Sequence, residues 1–106
     1  MPLSRDFRET VMEEMRSAKY RRAFLREAVS TLLSGDLETA KPSLRAYING
    51  TMGFARVGED LGRSPKSLMR MLGPKGNPQA KNLLELVAYL QKAEGTRWQV
   101  VDRVAA

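Results

Sequence analysis

Residues 63–81 hold five cationic side chains, Arg63, Lys66, Arg70, Lys75 and Lys81, and no carboxylate. Lys and Arg meet phosphate oxygens as charges, and Arg also forks onto the O6/N7 edge of guanine. Ser64, Ser67, Asn77 and Gln79 are interleaved among them, and Met69 carries an apolar tip suited to a thymine methyl or to plain surface. The whole chain of 106 residues has a net charge of +6, and five of those charges lie in this stretch. Residues 1–35 contribute +2, residues 36–62 contribute −1, and residues 82–106 are neutral. A solvated basic face would account for such a run in many proteins. Here the run also contains two cap-plus-proline pairs, Ser64-Pro65 and Asn77-Pro78, each expected to start a helix. The free N–H groups of helix starts favour phosphate, so side chains and helix termini point to one class of ligand. RNA would satisfy the charge equally, but the stretch offers no aromatic residue on which bases could stack.

The missing residue types exclude other chemistry. There is no His and no Cys, so no Ser-His-Asp triad, thiolate nucleophile, zinc finger or imidazole acid-base pair can be built. Glu9, Glu13 and Glu14 read as a solvated helix face rather than a catalytic dyad, and Lys75-Gly76 is far from a complete phosphate-binding loop. The expectation is a protein that is not an enzyme and needs neither cofactor nor metal. The N-terminus turns charged at Arg5 and Asp6 without a following apolar run, and no stretch approaches a membrane span. A soluble, cytoplasmic chain is expected.

The elements that must position the basic stretch follow from apolar spacing. Leu3, Phe7, Val11 and Met15 step by four, with Ser4 placed as a cap. Phe24, Leu25, Ala28, Val29, Leu32 and Leu33 form a second stripe that Ser34-Gly35 ends. Asp36 can cap a third helix bearing Leu37, Ala40, Leu44, Tyr47 and Ile48, with Pro42 expected to kink it or delay its start. A last long helix, over about 79–95, carries Leu83, Leu84, Val87, Ala88 and Leu90. Trp98, Val100 and Val101 suit a short strand or an ordered tail, with Trp98 latching the tail or entering a dimer interface. Met12, Met15, Met52 and Met71 read as gap-fillers at or beside the core. No repeat or linker divides the chain. The fold class expected is all-α, a single-domain bundle of about six helices.

Between the third and last helices, Phe54 to Leu72 has the pattern of a helix-turn-helix. Phe54, Val57 and Leu61 mark a helix of about two turns ending at Gly62, and Leu68, Met71 and Leu72 give the next helix its inner side. Gly58 supplies the small residue where the helices cross, Gly62 the turn, and Val57, Leu61, Leu68 and Leu72 the anchors. Such a second helix enters the major groove of double-stranded DNA through its N-terminal residues. Those are Pro65, Lys66 and Ser67, followed by Met69 and Arg70.

Leu44-Arg45-Ala46-Tyr47-Ile48-Asn49-Gly50-Thr51-Met52-Gly53-Phe54, followed by Ser67-Leu68-Met69-Arg70-Met71-Leu72-Gly73-Pro74-Lys75-Gly76-Asn77-Pro78, resembles the addiction-module antidote proteins. These are HigA-like antitoxins with a lambda-repressor-like, XRE-type helix-turn-helix, and the likeness runs over about residues 36–94. It implies a homodimer that binds an operator, neutralises a small toxin protein and represses their shared operon. By position, Ser64 to Ser67 and Arg70 would face the groove, with Arg63 beside them in the turn. Lys75, Asn77, Gln79 and Lys81 would hold phosphates at the start of the last helix. A stand-alone transcriptional regulator, and a toxin-covering module with little DNA binding, are the alternatives.

Overall fold

Local capping chemistry sets most helix boundaries in the computed structural model, which describes residues 3–105 and side chains from Phe7 to Ala105. Six helices follow in order among the described residues: α1 (Leu3–Glu14), α2 (Ala18–Leu33), α3 (Leu37–Gly50), α4 (Gly53–Leu61), α5 (Pro65–Met71) and α6 (Ala80–Ala93). The all-α bundle is as expected, and none of these helices is long and apolar enough to cross a membrane. Ser17 caps α2 by accepting from the Tyr20 N–H at 3.3 Å. Asp36 caps α3 through the Thr39 N–H at 3.1 Å, and hydrogen bonding to the Thr39 side chain and N–H holds its carboxyl below the usual carboxylate range. Ser4 lies inside α1, not ahead of it, so it is not the cap residue; its side chain is outside those described. Pro42 sits within α3 without delaying its start at Leu37.

The core joins Met15, Leu25, Ala28, Leu44, Tyr47, Ile48, Phe54, Val57, Leu68, Leu72, Leu86 and Leu90. Helix α3 is its axis, packed against both α2 and α4, while α4 packs on α5. Several apolar residues assigned inward by spacing face out instead. Phe7 is 69% exposed and Met12 52%, because among the described side chains the α1 stripe meets the bundle at Val11 and Met15. Leu33, the last residue of α2, is 81% exposed beyond the packed part of that helix. In α6 the inward register is Leu83, Leu86, Val87 and Leu90, which turns Leu84 and Ala88 to the outside.

One polar cluster closes the bundle. Glu94, just past α6, accepts from the Arg21 Nε at 2.7 Å and from the Tyr47 hydroxyl at 2.5 Å. Burial and that carboxylate push the Tyr47 hydroxyl well above its ordinary value. Arg21 also donates to the Met15 and Arg16 carbonyls, tying the end of α1 to the same point. Residues 96–105 form no strand. Trp98 is half-buried against the core, and its main-chain N–H donates to the Gln91 Oε1 at 2.6 Å, so the start of the tail is latched.

Candidate nucleic-acid interface

The basic stretch begins at a three-residue turn. Gly62 adopts the left-handed conformation (φ 68°, ψ 36°) and stops α4, with the Arg63 N–H returning to the Gly58 carbonyl at 2.9 Å. Gly58 has no alternative here, since a Cβ would stand 2.5 Å from the Arg63 carbonyl oxygen. Ser64, extended at φ −70° and ψ 142°, caps α5 by accepting from the Ser67 N–H at 3.0 Å, and Pro65 is the first helical residue. Leu68 and Leu72 anchor α5 in the core. Lys66, Met69 and Arg70 consequently face solvent, Met69 at 47% exposure.

The segment after α5 turns tightly back onto that helix. The Gly76 N–H bonds to the Gly73 carbonyl at 2.9 Å, and a Cβ on Gly76 would collide with the Arg70 and Met71 carbonyl oxygens. From beneath, α3 supplies two cations. Lys41, 1% exposed, donates to the Gly76 carbonyl at 2.7 Å and the Pro74 carbonyl at 3.5 Å, and its ammonium pairs with Glu38 at 2.9 Å. Arg45 donates to the Leu72 carbonyl, satisfying the end of α5.

Asn77-Pro78 does not start α6. Gln79 is still extended (φ −67°, ψ 146°), makes no side-chain cap bond, and the first helical residue is Ala80. The physical reason is the anchoring of Gly76 on Lys41, which fixes where the chain leaves the turn. The free N–H groups at the start of α6 therefore fall nearer Lys81 than the dipeptide suggested.

Arg63, Ser67, Arg70, Asn77 and Gln79 line one shallow groove of about 350 Å³ between α5 and α6. Met69, Arg70 and Lys75 line an adjoining depression of about 550 Å³ over the turn. Ser64, Pro65, Lys66 and Lys81 are exposed at the two helix starts and line neither. Lys66, Arg70, Lys75 and Lys81 pair with no carboxylate among the described residues. Arg63 differs. Its guanidinium donates to the Asn82 Oδ1 at 2.5 Å and lies 3.4 Å from the Glu85 carboxylate, so it ties the turn to α6. A second tie joins α4 to α6: the Tyr89 hydroxyl donates to Asp60 at 2.5 Å and holds that carboxyl below its usual range.

Lys41, Arg45 and Asn82 were not among the sequence-predicted site residues. For Lys41 a signal existed, since it falls inside the stripe Ala40, Leu44, Tyr47 and Ile48 that α3 buries. Asn82 had none, because its partner lies 19 residues away across a turn. In comparisons with known proteins, no family model, curated protein or solved structure matches this chain.

Proposed function

We propose that this chain is a sequence-specific, double-stranded-DNA-binding protein, acting as a homodimer in the cytoplasm as the antitoxin and autorepressor of a toxin–antitoxin module. The observation that carries the DNA-binding reading is that Lys66, Arg70, Lys75 and Lys81, all exposed along α5, the turn and the start of α6, pair with no carboxylate among the described residues. A protein interior or a neutral partner would gain nothing from four such cations, whereas a phosphate backbone would. In this reading the lambda-repressor-like helix-turn-helix is α4 and α5, and α5 enters the major groove. Ser64 to Ser67, Met69 and Arg70 then reach base edges, and Lys75, Asn77, Gln79 and Lys81 meet phosphates. Arg63, held by Asn82 and Glu85, keeps the turn in register with α6. The antitoxin role rests on the resemblance of residues 36–94 to the antidote proteins. No step is catalytic, and no cofactor or metal is called for.

A second reading, a toxin-covering module with little DNA binding, is favoured by one observation. Phe7 and Met12 are exposed on α1 beside a groove that Val11, Pro42 and Ala46 also line. Two measurements separate the readings. A gel shift with a labelled duplex spanning the region upstream of the gene should show a retarded complex that unlabelled mixed-sequence DNA competes poorly. Co-expression with the adjacent reading frame should restore growth if that frame encodes a toxin. Absence of any shift would overturn the DNA-binding reading. A shift beside a harmless neighbour would leave a stand-alone regulator.

A further inference from the structure

Lys41 is an expensive residue for stability alone. A buried ammonium loses its hydration, and an apolar side chain of similar length would fill the same space without that cost. What Lys41 does that Met could not is hold two main-chain carbonyls, those of Pro74 and Gly76, from the core side of the α5–α6 turn. Every peptide bond described is trans, so each carbonyl and the N–H of the following residue point in opposite directions. Drawing the Pro74 and Gly76 carbonyls towards Lys41 turns the Lys75 and Asn77 N–H groups away from it. Lys75 and Asn77 are themselves exposed. Gly76, seated against the Arg70 and Met71 carbonyls, leaves the turn no slack on its other side.

We propose that Lys41 is a positioning residue for nucleic-acid binding: through the Pro74 and Gly76 carbonyls it fixes the turn that presents Lys75 and Asn77 to phosphate. The inference rests on the DNA-binding reading above. Without the Lys41 ammonium the two carbonyls would seek water, the turn would lift from α3, and Lys75 would lose its fixed place beside Arg70.

The test is a double-mutant cycle on the full chain with wild type, Lys41→Met, Lys75→Ala and the double variant, titrated against the labelled upstream duplex. Each single variant should bind about sixtyfold more weakly at 0.1 M salt, the share of two released counterions, one from each protomer, and flatten the salt slope by about 1.8. The double variant should bind no more weakly than either single one. If Lys75→Ala still costs its full factor in the Lys41→Met background, Lys41 only packs the core and the proposal is overturned. Should wild type bind no duplex, the parent reading fails, and amide exchange then decides the latch separately. Faster exchange at Gly76 in Lys41→Met, with α2 unchanged, supports the latch; equal rates overturn it. If Lys41→Met does not fold, Lys41→Gln, which keeps one shorter donor, takes its place with a smaller loss in the same direction.

Discussion

At the scale of single residues, the four unpaired cations are not equivalent. Arg70 stands on the outward side of α5, one turn beyond its start, and lines both the groove towards α6 and the depression over the turn. In the DNA-binding reading a guanidinium there suits a planar, two-bond contact with a base edge, for which the point charge of Lys is no equivalent. Lys81 sits in the first turn of α6, exposed, and acts as a point charge on a helix start. Arg70→Ala should therefore cost about 1–3 kcal/mol of binding and relax preference at one base pair, whereas Lys81→Ala should weaken all sequences alike. Competition binding against a panel of single-position duplex variants checks this. Indistinguishable profiles for the two variants would dissolve the division into reader and positioner. Arg63 would have seemed the equal of Arg70 from charge alone. Its partners Asn82 and Glu85 lie a turn and a helix away, and a side chain's pairing across such a distance is not written in local spacing.

At the scale of elements, the junction of α4 and α5 was legible because its determinants are local. A left-handed Gly62, a Ser64 hydroxyl on the Ser67 N–H and a proline at the first helical position each act within a few residues. The start of α6 was not legible for the opposite reason: the turn before it is held by Lys41, 35 residues away from Gly76, and that tie overrides the Asn77-Pro78 signal. Gly58 shows how the two levels meet. Ala at that position would gain about 1 kcal/mol of helix propensity, but its Cβ would press on the Arg63 carbonyl at 2.5 Å and Pro65 at 3.4 Å. The carbonyl is backbone in a capped turn and has little room to yield, and overpacking of this kind costs about 1–3 kcal/mol. Gly58→Ala should thus be net destabilising, lowering the melting temperature by several degrees, at about 4–8 °C per kcal/mol for a domain near this size. Thermal unfolding followed by circular dichroism reads this directly. A raised melting temperature would mean that the turn shifts freely and that Gly58 does not set the crossing of α4 and α5.

At the scale of the whole molecule, the charge that reads as +6 over the chain is concentrated in residues 63–81, which carry five of the six net charges. Outside residues 63–81 the charge nearly cancels, with 13 cations against 12 carboxylates, and Arg21, Lys41 and Arg56 pair directly with Glu94, Glu38 and Asp60. Within it Arg63 is partly spent on Glu85, which leaves Lys66, Arg70, Lys75 and Lys81 for a ligand. That count predicts a salt dependence. Two protomers on one site, each placing Lys66, Lys75 and Lys81 on phosphates, neutralise six charges; with Arg70 also on phosphate the number is eight. Each phosphate contributes about −0.9 to the slope of log affinity against log salt, so the slope should lie between about −5 and −7. Affinity would then fall roughly a thousandfold to ten-thousandfold between 50 and 200 mM salt. Fluorescence anisotropy with a labelled duplex across that range measures it, and duplexes with two half-sites about 10 bp apart should bind more tightly than one half-site alone. A slope near −3 with no gain from the second half-site would mean that a single protomer binds. A slope steeper than −9 would require more than the five cations of residues 63–81 on each protomer, and would extend the interface beyond that stretch.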